Sequence, residues 1–317
     1  MTTPKYTFLL PAFKGKYLDE MLRSIKAQTY TDFKVLISDD CSPEDLRSIC
    51  EPYLSDPRFT FRRNEQNMGS KSLVSHWNLL VDMCDTEYLI MASDDDVYEP
   101  QFLAEIDALT QKYPQVNMFR SRVEMIDANG ETQEKDFQSE EYESQYGFLY
   151  SMFCQKRIMC VANYVFRSEA LKSQHGFVEF PLAWNSDDAT VMQMSDKGVA
   201  NTSNIVFSFR NSGENISTTY SKETLKKKAM ADLEFAIYYE GFIKKLSKPA
   251  DVKDLRCYNA FVSQKNQTLS NTLYDVTPRL NLEEMRKAYS FLKKTGKLRS
   301  KLQKLDYFWY WFRTKNG

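Results

Sequence analysis

Tyr88-Leu-Ile-Met-Ala-Ser-Asp-Asp-Asp-Val-Tyr-Glu-Pro100 joins a short apolar run to three adjacent carboxylates. Residues 88–92 read as a buried strand that stops abruptly before Asp94, Asp95 and Asp96. Neighbouring carboxylates repel one another unless a cation or solvent offsets their charge. Open α/β sheets bind ligands at the carboxyl ends of their strands. A hard divalent ion there, Mg²⁺ or Mn²⁺, suits oxygen ligands and keeps positions free for substrate phosphates. The competing reading is a solvated acidic turn leading into a helix near Pro100. The stretch alone leaves both open.

Upstream, residues 6–11 form a compact apolar strand that Pro11 is expected to end. Leu18, Met21, Leu22 and Ile25 follow at the spacing of one helix face, and Phe33–Ser38 reads as a second strand stopping at Asp39-Asp40. Strand, helix and strand in this order make a right-handed βαβ unit. A helix near 44–54, a short strand at 59–62 and a helix at 70–83 continue the alternation, which predicts a doubly wound, mostly parallel α/β sheet. The first turn, Ala12-Phe-Lys-Gly-Lys16, has one glycine, so no glycine-rich cradle for a pyrophosphate forms there. A nucleotide would be held by side chains and metal, with the Asp pairs at the strand ends as candidates.

Downstream, a helix is expected at about 100–112. Strand-like runs at 116–126 and 131–137 flank Asn129-Gly130, a hairpin signal. The acidic stretch 131–143 reads as a solvated loop. Trp184-Asn-Ser-Asp-Asp188 precedes a helix to about Lys197; Asp187 and Asp188 suit either its N-terminal dipole or a chemical role. Beyond Tyr220 the chain turns helical and Lys/Tyr-rich, placing a boundary between a 1–220 domain and a 221–317 helical extension. Residues 291–317 carry eight Lys or Arg (293, 294, 297, 299, 301, 304, 313, 315) against Asp306, and include Tyr307-Phe-Trp-Tyr-Trp-Phe312. Such a segment fits either peripheral contact with an anionic membrane surface or packing of its aromatic face on the domain.

A net charge of −1 over 317 residues gives no basic excess for nucleic acid. No apolar run approaches the roughly 20 residues that cross a bilayer, and no leader is expected at the N-terminus. Six cysteines without a Cys-x-x-Cys pair and only two histidines disfavour zinc and a His-based triad, and fit scattered reduced thiols in a cytoplasmic protein.

Several separated stretches together resemble the family 2 glycosyltransferases of the GT-A fold over roughly residues 5–220, especially bacterial members that build surface polysaccharides. They are Leu9-Leu-Pro-Ala-Phe-Lys14, Ala27-Gln-Thr-Tyr30, Ser38-Asp-Asp-Cys-Ser42, Asn67-Met-Gly69, Trp77-Asn78, Ser93-Asp-Asp-Asp96 with Pro100, Asp187-Asp188, and Arg210-Asn-Ser-Gly-Glu-Asn-Ile-Ser217. The resemblance implies an inverting, metal-dependent transfer from a nucleotide sugar, with UDP the expected carrier, to a hydroxyl of a glycan or lipid-linked acceptor. The scattered thiols place the enzyme in the cytoplasm, and the basic-aromatic tail leaves peripheral contact with the inner face of the plasma membrane as one of its two readings.

The same resemblance assigns roles to residues. Pro11, Ala12 and Phe13 would line the base, with Asp39 and Asp40 accepting from base or ribose. Asn67, Gly69, Lys71, Ser93, Trp184 and Arg210 would contact substrate, as would Asp94. Asp95 would be the principal ligand of Mn²⁺ or Mg²⁺, assisted by Asp94 or Asp96. Asp188 would be the general base, its pKa raised by its neighbour Asp187. Donor selectivity is expected around Ser93, Asn163 and Trp184.

Two departures stand out. Ser93 occupies the usual first Asp of the metal motif, and the Arg that usually precedes Asn78 is absent, leaving Lys71 as a candidate phosphate cation. Ser93 motivates an alternative from another class, a catalytically degenerate nucleotide-sugar-binding subunit of a polysaccharide synthesis complex. A calcium loop starting at Asp94 fails because its sixth position is Glu99, not glycine. A sugar-phosphate nucleotidyltransferase lacks its glycine-rich basic loop in Lys14-Gly-Lys16.

Overall fold

The structure is a computed structural model describing residues 3–155 and 157–316, without the side chains of Ser217, Lys315 and Asn316. Ten strands form one sheet among the described residues: β1 Tyr6–Ala12, β2 Phe33–Asp39, β3 Phe59–Arg63, β4 Tyr88–Met91, β5 Val97–Tyr98, β6 Met118–Ile126, β7 Thr132–Lys135, β8 Tyr142–Glu143, β9 Tyr164–Arg167 and β10 Val199–Arg210. The order is β3-β2-β1-β4-β9-β6-β10-β5, with β7 on β6 and β8 on β10. Strands β1, β2, β3, β4, β6 and β10 run one way, and β5, β7, β8 and β9 run against them. This is the mixed, mostly parallel sheet flanked by helices that the GT-A resemblance implies.

Helices α1 Leu18–Lys26, α2 Leu46–Cys50, α3 Gly69–Met83 and α4 Phe102–Lys112 return the chain between strands. Leu18, Met21, Leu22 and Ile25 of α1 are all fully buried, as their spacing predicts. The Asn129-Gly130 hairpin joins β6 to β7, with Gly130 at φ 87° and Asp127 Oδ1 accepting from the amides of Asn129 and Glu131.

Three local expectations need correction. Pro11 does not end β1, which continues to Ala12 in register with Asp39. Leu9 directs its carbonyl to Ala92, so Pro11, two residues on, faces the side where β4 has already stopped, and its missing N–H costs no bond. The helix expected at 44–54 shortens to α2 plus one 3₁₀ turn over 51–53 that contains Pro52. The acidic stretch 131–143 is not only solvated: it supplies β7 and β8, and its Asp136 and Glu143 are buried against Arg120 and Arg157. Those arginines lie on β6 and in the segment before β9, so the pairing is invisible in local composition.

The second half supplies α5 Gln145–Cys154, α6 Ser168–Ser173, α7 Ser186–Met194, α8 Lys222–Lys245, α9 Val252–Val276, α10 Leu282–Lys294 and α11 Lys301–Asn316. The apolar core runs unbroken from Leu9, Leu89 and Met118 of the sheet through Met192 of α7 to Phe235, Phe261, Leu292 and Tyr307 of the C-terminal helices. The 221–317 extension therefore shares its core with the sheet domain. All six cysteines are unpaired. Among the described residues no helix is long and apolar enough to cross a membrane.

Candidate active site

The carboxyl ends of β1, β2 and β4 open onto a cavity of about 470 Å³. Its walls include Pro11, Phe13 and Lys14 after β1, Asp40 after β2, Asn67 and Gly69 before α3, and Ser93, Asp94 and Asp95 after β4. Glu214, Asn215 and Ile216, following β10, close it from across the sheet. Segments far apart in sequence meet because parallel strands bring their carboxyl ends to one edge of the sheet.

The three adjacent carboxylates divide their work. Asp94 Oδ2 accepts from the amides of Phe13 and Lys14, both at 2.7 Å, and so ties the β1 loop to the β4 loop. Burial raises its pKa despite these bonds. Asp95 faces the cavity. Its Oδ2 accepts from Asn215 Nδ2 at 3.4 Å, and burial, then Asp94, raises its pKa to about 6. Asp96 is fully buried, with Oδ1 accepting from the Arg210 amide at 2.9 Å, and it does not line the cavity.

Arg210 is also interior. Its guanidinium donates to the carbonyls of Asp95 (2.8 Å) and Asp127 (3.3 Å), pairs with Glu20 at 2.8 Å and lies over the Tyr17 ring. It braces the acidic loop from behind and does not line the cavity. Ser217, the last residue of the element Arg210 opens, has its side chain outside the described residues.

Asp39 and Asp40 also differ. Asp39 is fully buried, accepting from the Ser42 amide at 2.8 Å and paired with Arg63, while Ser42 Oγ donates to the Phe13 carbonyl at 2.6 Å. Asp39 thus supports the wall from inside and, like Ala12, is absent from its lining. Asp40 lines the cavity, with its oxygens accepting from Asn64 Nδ2 and the amides of Met68 and Gly69 at 2.7–2.9 Å. A Cβ at Gly69 would come within 3.0 Å of Asp40 Oδ2, which explains a glycine there. His76 sits beneath, accepting or donating with Ser38 Oγ at 3.0 Å, its pKa lowered by burial.

Asn67 Oδ1 accepts from the Ser70 amide and caps the start of α3. Helix α3 breaks at Ser72 (φ −153°, ψ 113°), whose Oγ accepts from the Ser75 amide and caps it anew. Lys71 therefore turns to a neighbouring cleft of about 600 Å³, shared with Glu179, Glu223, Lys226 and Lys227, with Nζ 3.2 Å from Gln66 Oε1. The lysine on the main cavity is Lys14, held by its Nζ on the Glu214 carbonyl at 2.8 Å. Asn163 is buried, donating to the Ser121 carbonyl at 2.8 Å, and does not line the cavity.

Asp187 and Asp188 open α7. The Asp188 amide donates to Asp187 Oδ1 at 3.0 Å. Burial, then the charge of Asp188, raises Asp187 to about 7, and burial raises Asp188 against the field of Lys265. Lys265 projects from α9 between the rings of Phe153 and Phe235, and burial depresses its pKa. Cys160 lies within the fields of both Asp96 and Asp187, which links the two acidic groups in space. Trp184 does not line the cavity; its Nε1 donates to Asp232 Oδ1 of α8 at 3.0 Å. Sequence reading passed over Asp232, Lys265, Lys14 and Asn215. Lys14 and Asn215 carried a local signal, lying inside the Leu9–Lys14 and Arg210–Ser217 elements; Asp232 and Lys265 carried none.

No cluster of three His, Cys, Asp or Glu among the described residues forms a ready-made metal centre. Hard oxygens of Asp95 and Asp94 beside an open cavity nevertheless suit a divalent ion whose remaining ligands come from substrate phosphates. The donor set fits.

The family model described as "Glycosyl transferase family 2" matches residues 7–173, more than half of the chain. The chain belongs to glycosyltransferase family 2. Among sequence relatives, it is 24% identical over 112 residues to the poly(ribitol-phosphate) beta-N-acetylglucosaminyltransferase TarS of Staphylococcus aureus, covering 34% of this chain and 19% of TarS. It is 34% identical over 100 residues to chondroitin synthase of Escherichia coli, covering 31% of this chain and 14% of that protein. These matches thus span less than a fifth of either relative. The TarS 1–349 structure in complex with UDP-GlcNAc aligns with a TM-score of 0.58 and 17% identity over 92% of this chain and 90% of that one. Mannosyltransferase PcManGT of Pyrobaculum calidifontis, in complex with GDP-Man and Mn²⁺, aligns at 0.54 and 15% over 99% and 85%. At these identities the likeness establishes the GT-A fold.

Proposed function

We propose that this family 2 protein is an inverting, metal-dependent glycosyltransferase. It would move a sugar from a nucleotide-sugar donor, with UDP the expected carrier, to a hydroxyl of a glycan or lipid-linked acceptor in bacterial surface polysaccharide synthesis. One observation carries this reading: Asp94 and Asp95 face a cavity walled by the ends of β1 and β2. Asp187 and Asp188 at the start of α7 lie outside its lining, and the family resemblance is what assigns them to the acceptor side.

In this reading Pro11 and Phe13 flank the base, and Asp40 and Asp94 hold the loops around it in shape. Lys14 brings positive charge to the donor phosphates. Asp95, with Asp94 beside it, would hold Mn²⁺ or Mg²⁺, which offsets charge on the departing nucleoside diphosphate. Asp188 takes the proton of the acceptor hydroxyl as that oxygen forms its bond to the anomeric carbon. The bond from that carbon to the phosphate oxygen breaks on the opposite face, so configuration inverts. A carboxylate with a raised pKa suits this general-base step.

The test is a thermal-shift screen of nucleotide sugars with Mn²⁺, followed by turnover of the best donor. Stabilisation by one donor with slow hydrolysis in the absence of acceptor supports the enzyme. Stabilisation without any hydrolysis or transfer would favour a binding subunit. Turnover retained in Asp188→Asn would remove Asp188 from the base role.

A further inference from the structure

Helix α11 has two different aromatic faces. Tyr307 is fully buried with its hydroxyl near Thr277 Oγ1, and Trp311 donates from Nε1 to the Leu280 carbonyl at 2.9 Å. This inner face seats the helix on the bundle. On the outer face Leu302, Leu305, Trp309 and Phe312 recur at intervals of three, four and three residues, and they are 68%, 50%, 57% and 52% exposed. Leu305, Trp309 and Phe312 of this face, with Phe308 and the edge of Trp311 and with Leu282 and Met285 of α10, line an open apolar groove of about 370 Å³. Large apolar side chains seldom gather outside a fold without an occupant.

Charge selects the occupant. Exposed Lys301 borders the outer stripe on one side and Arg313 on the other, and Arg286 of α10 lines the groove, whereas α11 carries a single acidic residue, Asp306, on the side of Arg313. A second copy meeting this face about a two-fold axis would set the cations against their own copies. An anionic bilayer complements them, and its interface accommodates Trp and Phe at headgroup depth. Since no described helix is long and apolar enough to cross a membrane, the helix would lie along the surface.

We infer that the outer face of α11, with Trp309 and Phe312 as anchors and Lys301, Arg286 and Arg313 as rim, docks this protein on an anionic lipid surface. The inference is independent of the transfer reaction, since it concerns neither donor nor acceptor.

The test is co-sedimentation of the full chain with vesicles of phosphatidylglycerol and phosphatidylcholine, against vesicles of phosphatidylcholine alone. Binding is expected only to the anionic vesicles and should weaken with added salt. Reversing Lys301, Arg286 and Arg313 to Glu should lower partitioning by more than about a hundredfold, as removing each cation costs roughly fivefold and reversal costs more. The double variant Trp309→Ala/Phe312→Ala should lower it at least about tenfold while far-UV circular dichroism and melting stay unchanged, because both side chains are exposed. Equal binding to neutral vesicles, no binding to anionic ones, or a dimer that both variants convert to monomer would overturn the inference.

Discussion

Asp232 on α8 holds Asn185: its Oδ1 accepts from Asn185 Nδ2 at 3.1 Å, as well as from Trp184 Nε1 at 3.0 Å. Asn185 sits in the left-handed region at φ 65°, following Leu182 and Ala183 at φ 61° and 56°. Three non-glycine residues in that conformation store strain that surrounding contacts must hold. Asn185 immediately precedes α7, so the C-terminal helices fix where Asp187 and Asp188 begin.

Asp232→Ala is expected to lower kcat about tenfold or more while leaving donor KM within about twofold, since losing a hydrogen bond to a charged group costs roughly 1.5–3 kcal/mol. Asp232→Asn keeps an acceptor oxygen and should retain more of the rate. Steady-state kinetics of both variants decide this. An equal rise in KM with unchanged kcat would place Asp232 in donor binding instead.

The acidic pair at α7 makes a pH prediction. A general base works deprotonated, so kcat/KM should rise with pH and level off above an apparent pKa lifted out of the ordinary carboxylate range, the direction in which burial moves Asp188. The groups facing the pair are Lys265, whose field opposes the rise at Asp188, and Cys160, which Asp187 influences; Asp232 faces Lys265 in turn. Lys265→Met removes the positive field and should move the acidic limb to higher pH. A limb that stays in place would show that Lys265 does not reach the titrating pair.

Asp95 and Asp94 should separate in assay. Asp95→Ala is expected to abolish Mn²⁺-dependent stabilisation by donor and to cost at least about a hundredfold in kcat/KM, with the fold intact. Asp94→Asn loses the charge that holds the Phe13 and Lys14 amides, so its main effect should be a higher donor KM. Calorimetry of UDP with and without Mn²⁺, beside initial rates, distinguishes the two.

Arg210→Ala should destabilise the fold by about 1–3 kcal/mol, because the buried carbonyl of Asp95 loses its donor. Urea unfolding followed by circular dichroism measures it. An unchanged midpoint would mean that the acidic loop holds its shape without this brace.

Much of the sheet was legible from local pattern. Apolar runs at 6–11, 33–38 and 88–92 and the face Leu18, Met21, Leu22, Ile25 are signals confined to a few residues, and the structure keeps them. The Asn129-Gly130 hairpin is of the same kind, since turn geometry depends on the turn residues themselves. Pairings that cross the fold were not legible. Asp136 with Arg120 and Glu143 with Arg157 turn an apparently solvated acidic stretch into buried ion pairs.

The sequence by itself determined the α/β alternation and the three carboxylates at the end of a central strand, because strand periodicity and strand ends are written in neighbouring residues. Only the tertiary structure decided how those carboxylates divide. Asp94 ties two loops, Asp95 faces the cavity, and Asp96 turns inward to the Arg210 amide. The partners that separate them lie about 80 to 120 residues away in the chain. Likewise Lys265 and Asp232 reach the α7 carboxylates and the segment before them only because α8 and α9 pack on the sheet domain. Burial and long-range hydrogen bonding set each group's role, and both arise only once the chain has folded.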